Sequence, residues 1–201
     1  MANTVLIYFK IYLGELLAAL PVVPAIIICE RAILKNKNIL SIFTESIFVL
    51  YICAVFFIVG LPSLMYIGFD PTLNLLPFAD IVNYPSAYIV NSLLNVLLFV
   101  PLGVFVPILW PKFNNLKSII ITGFLFSLFI EIMQLFAIRV TDIDDIIFNT
   151  LGALAGFFVY KIISRYKFFR RAAYDNIIVP FAISFTIMFF IQPYIINYRF
   201  I

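Results

Sequence analysis

The sequence contains no histidine and only two cysteines among its 201 residues. The missing histidine removes the side chain that most often acts as a general base or binds zinc. Cys29 and Cys53 both lie inside apolar runs, where a free cysteine ordinarily packs as a small hydrophobe. The composition therefore predicts neither a disulfide nor a thiolate metal site, and no Ser–His or Cys–His catalytic pair is available.

Charged residues are also scarce, at 11%, whereas hydrophobic residues make up 65% of the chain and the mean hydropathy is +1.14. A soluble domain has about a quarter of its residues charged, so this composition excludes that class. Backbone amides in a bilayer core must be satisfied internally, and the long apolar runs favour helices over a barrel. The sequence predicts an all-α fold, that of a polytopic helical membrane protein. No basic cluster interleaved with aromatics suggests a nucleic-acid partner.

Six hydrophobic segments each approach the ~20 residues that cross the hydrocarbon of a bilayer. They are predicted at residues 5–29, 43–67, 91–109, 118–137, 146–163 and 176–196. Pro101 and Pro107 are expected to interrupt the third segment. The chain is predicted to have two N-terminal transmembrane helices in residues 1–69, a core in residues 70–163, and a basic loop with a last transmembrane helix in residues 164–201.

Basic residues are concentrated in alternate connecting loops. Segments 30–42, 110–117 and 161–175 hold ten of the thirteen: Arg31, Lys35, Lys37, Lys112, Lys117, Lys161, Arg165, Lys167, Arg170 and Arg171. The opposite loops carry acidic residues, including Asp70 and Asp80. Because cytoplasmic loops of membrane proteins are enriched in Lys and Arg, the basic side is predicted to be cytoplasmic and both termini to be extracellular.

Strongly polar side chains gather between the fourth and fifth segments, in residues 130–156. Ser127, Glu131 and Gln134 are spaced i, i+4 and i+7, so they share one face in the outer half of the fourth helix. A carboxylate at that depth is costly without a partner. The fifth helix is expected to begin at Thr141 or Asp142, since either side chain can act as its N-cap.

A second polar face follows on the fifth segment, at Asp142, Asp145, Asn149, Gly152 and Gly156. The two glycines form a G-x-x-x-G pattern, which lets a neighbouring helix approach closely and would press this face into the bundle. Asp144 falls off the face and is expected to be an exposed loop or first-turn charge.

The predicted topology brings polar residues from several pieces of chain to one leaflet. The candidate binding residues are Asn74, Asn95, Glu131, Gln134, Arg139, Asp142, Asp145 and Asn149. Intramembrane ionisable residues mark functional sites more often than not, so we predict a hydrated polar pocket that opens outward. The alternative is a structural network in which Arg139 pairs with Asp142 and Asp145 while the amides bridge helices.

The chemistry open to such a pocket follows from its residue types. Glu131, Asp142 and Asp145 are the candidates for a general acid and base, provided that burial raises the pKa of one carboxyl. Arg139 can clamp a phosphate or a carboxylate. Oxygen atoms of Asp142, Asp145 and Asn149 are of the kind that Mg²⁺ and Ca²⁺ use, but Arg139 would compete, and we predict no metal site. The sequence identifies no cofactor.

Four motifs in this order and spacing resemble the VanZ-like family. They are NLLPF at 74–78, N-x-x-x-F-x-P-x-G from Asn95, S-x-x-x-E-x-x-Q from Ser127, and R-x-x-D-x-x-D-x-x-x-N-x-x-G-x-x-x-G from Arg139. The resemblance covers about residues 70 to 163, and the last motif is the most specific. It implies a multi-pass plasma-membrane protein of a Gram-positive cell, in a family whose founding members confer teicoplanin resistance by reducing access of lipoglycopeptide antibiotics.

Three functions fit a pocket of this kind. In the first, the protein binds or modulates an envelope component, such as a lipid headgroup or a cell-wall precursor. In the second, it is an integral-membrane enzyme that modifies an envelope lipid or a lipid-linked precursor through a Glu/Asp site. The third is a small transporter, but transporter sites lie near the membrane midplane, whereas these polar groups are confined to one leaflet. The sequence favours binding or modulation.

Overall fold

A computed structural model describes residues 23–29, 39–62, 67–69, 72–137, 140–164 and 177–191. Arg139 and most of the first predicted segment lie outside the described residues. The chain divides into two compact units, one comprising Met1–Ile67 and Asn176–Ile201, the other Gly68–Asp175. The candidate site lies in the second unit.

The described residues form six helices and two very short strands. The helices are α1 (residues 23–29), α2 (Ile39–Ile58), α3 (Pro85–Leu109), α4 (Leu116–Gln134), α5 (Ile143–Ile163) and α6 (Ile178–Thr186), and the strands are β1 (Leu73–Asn74) and β2 (Thr141–Asp142). A π-helical turn, Ile187–Ile191, continues α6, and 3-10 turns occupy Ala79–Ile81 and Pro111–Phe113. The predicted all-α fold is confirmed.

The first unit packs α1, α2 and α6 around an apolar core. Buried Val23, Ile27, Val49, Cys53 and Ile187 form its centre. The rings of Phe48 and Phe181 meet edge to face with centroids 5.5 Å apart, which fixes α2 against α6. Glu45 of α2 is also buried in this unit, a position that the sequence reasoning did not single out.

Three of the described helices, α3, α4 and α5, are long and apolar enough to cross a membrane. At ~1.5 Å per residue, the 25 residues of α3 rise about 37 Å, which exceeds the hydrocarbon thickness of about 30 Å. Two shorter apolar helices, Ile42–Ile58 and Ile178–Phe190, belong to the first unit.

Helix α3 differs from its prediction in two ways. It begins at Pro85, six residues before the predicted start, because proline suits the first turn, where its missing N–H is not needed. It also runs without interruption through Pro101 and Pro107, so the prediction that these prolines break it is wrong. Each proline removes only one backbone hydrogen bond, and the turns on either side maintain the helix.

Glycines let α3 and α5 approach until their backbones touch. A Cβ atom on Gly152 would overlap the carbonyl oxygen of Val96, and one on Gly156 would overlap that of Val100. From the other side, a Cβ on Gly103 would overlap the carbonyl oxygen of Ala153. The close approach predicted from the G-x-x-x-G pattern is confirmed, and the partner helix is α3. The register 96 to 152 and 100 to 156 makes the two helices parallel.

The two strands tie the segment before α3 to the connection between α4 and α5. β1 and β2 pair in parallel, Leu73 opposite Thr141 and Asn74 opposite Asp142. The backbone N–H of Thr141 also donates to the carbonyl of Thr72 at 3.0 Å. The start of α5, the end of α4 and the segment that leads into α3 therefore meet at one end of the helices.

Candidate functional site

The junction between β2 and α5 is organised around Asp142. Its side chain accepts a hydrogen bond from the N–H of Asp144 at 2.9 Å, so Asp142 is the N-cap, as one of the two predicted alternatives stated. The second carboxylate oxygen accepts from the Asn74 side-chain amide at 3.0 Å. One residue thus caps α5 and anchors β1.

Glu131 braces the same junction from α4. Its Oε2 accepts a hydrogen bond from the backbone N–H of Asp142 at 2.9 Å, and its carbonyl accepts from the hydroxyl of Thr141 at 3.1 Å. The Glu131 side chain is only 1% exposed. Its carboxylate is therefore engaged in holding the connection between α4 and α5.

Asp144 is buried, at 4% exposure, and the prediction that it is an exposed charge is wrong. Both of its carboxylate oxygens accept from the backbone N–H of Phe78, at 3.1 and 3.0 Å, and Oδ2 also accepts from the hydroxyl of Tyr88 at 3.0 Å. The helical spacing of α5 alone could not reveal this, because one donor comes from the segment before α3 and the other from the first turn of α3.

Two further polar pairs lie deeper along α5. The side-chain amide of Asn95 on α3 donates to Asp145. One turn further on, the amide of Asn149 donates to the hydroxyl of Ser127 on α4 at 2.9 Å, and both of these residues are buried. The polar face predicted for α5 thus bonds α3 through Asp145 and α4 through Asn149.

The structure brings most of the predicted residues together at one end of the bundle. Gln134, at the end of α4, is also buried there. Arg139 lies outside the described residues. Hydrogen bonds join Asn74 and Glu131 to Asp142, Asn95 to Asp145, and Asn149 to Ser127.

A cleft of about 210 Å³ opens beside this network. It is lined by Asp80, Tyr84, Ala87, Tyr88, Asn91, Ser92, Asp142, Asp144 and Asp145. Among the predicted binding residues that the structure describes, only Asp142 and Asp145 belong to the lining. Glu131 does not, since its carboxylate faces the junction between α4 and α5.

The cleft has a strongly acidic character. Four aspartates contribute to its lining, and no basic side chain does so among the described residues. Within the described part of the chain, no group of three acidic or cysteine side chains could hold a metal ion. The arrangement is suited to a ligand that donates hydrogen bonds or carries positive charge.

The sequence reasoning missed the contribution of the first turns of α3. Tyr84, Tyr88 and Asn91 are spaced i, i+4 and i+7, which places them on one helix face. Placing the start of the third segment at residue 91 excluded both tyrosines from the helix. Pro85 was the signal that could have corrected this, because proline is favoured at a helix N-terminus.

The fold and the site together define an all-α polytopic membrane protein with a polar cleft at one end of its spanning helices. Residues 48–164, more than half of the chain, match the VanZ/LLP1 family, and the chain belongs to that family. The family predicted from the four motifs is therefore confirmed. No curated protein and no solved structure matches the chain.

Proposed function

We propose that this VanZ-family protein binds a cell-envelope component in the acidic cleft and thereby lowers susceptibility to teicoplanin and related lipoglycopeptides. The cell is Gram-positive, and the protein crosses its plasma membrane several times with both termini outside. The observation that carries the proposal is the cleft lined by Asp80, Asp142, Asp144 and Asp145.

The cleft is preorganised for binding. Asp142 and Asp144 are each held by hydrogen bonds from two other residues or more, so their oxygens occupy fixed positions before a ligand arrives. Fixed acceptors reduce the ordering cost of binding. Carboxylates that accept such bonds still have lone pairs for hydroxyl or ammonium donors of a headgroup or a cell-wall precursor.

Charge distribution supports an outward orientation of the cleft. In the second unit Lys112, Lys117 and Lys161 lie at the end of the bundle opposite the aspartates, near the end of α3, the start of α4 and the end of α5. Lys and Arg favour the cytoplasmic side of a membrane protein. The acidic cleft then faces the envelope, where glycopeptides act.

The enzyme alternative is less well supported by the contacts. That alternative assigns the roles of general acid and base to Glu131 and to either Asp142 or Asp145. The Glu131 carboxylate instead accepts from the backbone of Asp142 and lies outside the lining of the cleft. A binding site needs no proton transfer, so it is compatible with carboxylates that already serve as hydrogen-bond acceptors.

The test is a susceptibility measurement in a teicoplanin-sensitive Gram-positive host that expresses the chain. Wild type should raise the minimal inhibitory concentration several-fold, and Asp80→Lys should abolish the increase. Asp80 is exposed and lines the cleft, so reversing its charge alters the site without removing a buried contact. Lys117→Gln, an exposed change at the opposite end, is the matched control and should protect like wild type. Equal protection by Asp80→Lys at equal membrane abundance would refute the proposal.

A further inference from the structure

The segment that leads into α3 exposes a cluster of large apolar side chains. We call residues 75–84 the lip. Six of its side chains are between 43% and 83% exposed: Leu75, Leu76, Phe78, Ile81, Val82 and Tyr84. A cluster of exposed apolar side chains of this kind is unfavourable in water and marks a surface that contacts a partner or a membrane.

The lip lies next to an exposed apolar face of α3. It joins α3 directly, since Tyr84 precedes the first helical residue. On α3, large apolar side chains at positions 89, 90, 93, 94 and 97 are between 52% and 63% exposed, and this helix is long and apolar enough to cross the membrane. The exposed apolar side chains of α3 are therefore followed, towards its N-terminus, by those of the lip.

Four backbone N–H groups of the lip have hydrogen-bond partners within the protein. The N–H of Phe78 donates to Asp144, and those of Ala79, Ile81 and Tyr84 donate to carbonyls within the lip, at 3.3, 3.3 and 2.9 Å. Unpaired amides would be costly in a bilayer, and these four have partners. Phe78 adopts a left-handed conformation with φ 63°, which a non-glycine residue holds only when its surroundings impose it.

The lip and the cleft share residues. Asp80 and Tyr84 belong to both, and Ala87 and Asn91, which also line the cleft, are exposed on the first turns of α3. Because α3 rises about 37 Å against a hydrocarbon thickness of about 30 Å, it is long enough for its first turns to reach the level of the lipid headgroups. In that placement the mouth of the cleft lies where a headgroup would be found.

We infer that the lip is embedded in one leaflet of the bilayer and that the cleft opens sideways to the lipid headgroups. The inference rests on the proposed function, and it narrows the ligand to an amphiphile. Its acyl chains would lie along the exposed apolar face of α3 while its polar headgroup occupies the cleft. The lip is thus a contact with lipid, and not with a second copy of the chain.

Site-directed spin labelling tests the position of the lip directly. In a protein with Cys29 and Cys53 replaced by alanine, a nitroxide is attached at Val82→Cys, the most exposed of the six apolar side chains. The protein is reconstituted in phosphatidylcholine and phosphatidylglycerol vesicles, and collisions with oxygen and with a water-soluble nickel chelate are compared. Labels at Leu93→Cys and Lys117→Cys provide the lipid and water references.

The label at position 82 should resemble the one at 93, with oxygen collisions dominant over nickel collisions. Access to the soluble nickel chelate like that at 117 would place the lip in water and overturn the inference. Low access of both oxygen and the nickel chelate to the label at 82 would mean that protein covers the lip. That result would also overturn the inference.

The sideways opening is tested with a label at Ala87→Cys, on the rim of the cleft, in vesicles containing a lipid whose headgroup chelates Ni²⁺. Collisions of the label at 87 with the headgroup nickel should exceed those of the label at 117 several-fold. Relaxation by soluble nickel alone would show that the cleft opens to water. These results are independent of teicoplanin susceptibility, so a lip in water together with loss of protection by Asp80→Lys would refute the inference and leave the proposed function standing.

Discussion

The Oε2 atom of Glu131 lies 2.9 Å from the backbone nitrogen of Asp142, so a buried carboxylate near the end of α4 holds the N-cap of α5. The hydroxyl of Thr141 adds a second bond to the carbonyl of Glu131. The same N-cap residue binds Asn74, and its neighbours line the cleft. Glu131 therefore supports the site through the N-cap of α5 without lining the cleft.

Replacing Glu131 by Gln should be tolerated, because the side-chain amide retains an oxygen that can accept from Asp142. Glu131→Ala should lower the free energy of unfolding by about 2–4 kcal/mol, since it leaves a partly buried N–H without its partner and removes packing of a buried side chain. Unfolding in mixed detergent micelles measures both. The enzyme alternative predicts instead that the Glu131→Gln protein folds but does not protect against teicoplanin.

Asp144→Asn should destabilise the protein by about 1.5–3 kcal/mol, because a neutral amide replaces a charged acceptor of bonds from Phe78 and Tyr88. Asp80→Asn is the matched control: it removes one charge from the same cleft at an exposed position and should change stability by less than about 0.5 kcal/mol. Equal stability of the two variants would contradict the role assigned to Asp144.

Gly156→Ala should separate α3 from α5, because the added methyl group would overlap the carbonyl of Val100. Alanine favours a helix over glycine by about 1 kcal/mol, so local propensity predicts stabilisation. The contact with Val100 predicts instead that Gly156→Ala lowers the free energy of unfolding by about 1–3 kcal/mol, because the site becomes overpacked. Leu151→Ala, at an exposed position of the same helix, is the control. A Gly156→Ala protein as stable as wild type would rule out the close backbone contact.

The bond between Ser127 and Asn149 can be measured by a double-mutant cycle with Ser127→Ala and Asn149→Ala. Polar pairs between membrane helices couple by about 0.6 kcal/mol on average and up to about 1.7 kcal/mol. Because both residues are buried, we expect a coupling in the upper half of that range. Additive effects of the two substitutions would show that the bond does not link α4 to α5.

Much of the fold could be predicted from composition and spacing. Apolar runs placed the helices, and the G-x-x-x-G pattern of Gly152 and Gly156 predicted a close helix contact. Local chemistry narrowed the N-cap of α5 to Thr141 or Asp142, and the structure shows that it is Asp142. These features depend on a helix's own sequence or on its immediate ends, which is the information that periodicity contains.

The lining of the cleft could not be predicted in the same way. Asp144 points away from the main polar face of α5, and its burial depends on donors from Phe78 and Tyr88, more than fifty residues earlier in the chain. The left-handed conformation of Phe78 that presents its N–H has no signal in the residue type. Glu131 was correctly recognised as a buried carboxylate, but only the structure reveals that a backbone N–H is its partner.

The most direct test of the central claim is native mass spectrometry of the protein extracted in a mild detergent. Wild type should carry a bound envelope molecule, and Asp80→Lys should lose most of that occupancy while Lys117→Gln retains it. Wild-type protein without a bound molecule, or equal occupancy in Asp80→Lys, would contradict the account of the acidic cleft as a binding site.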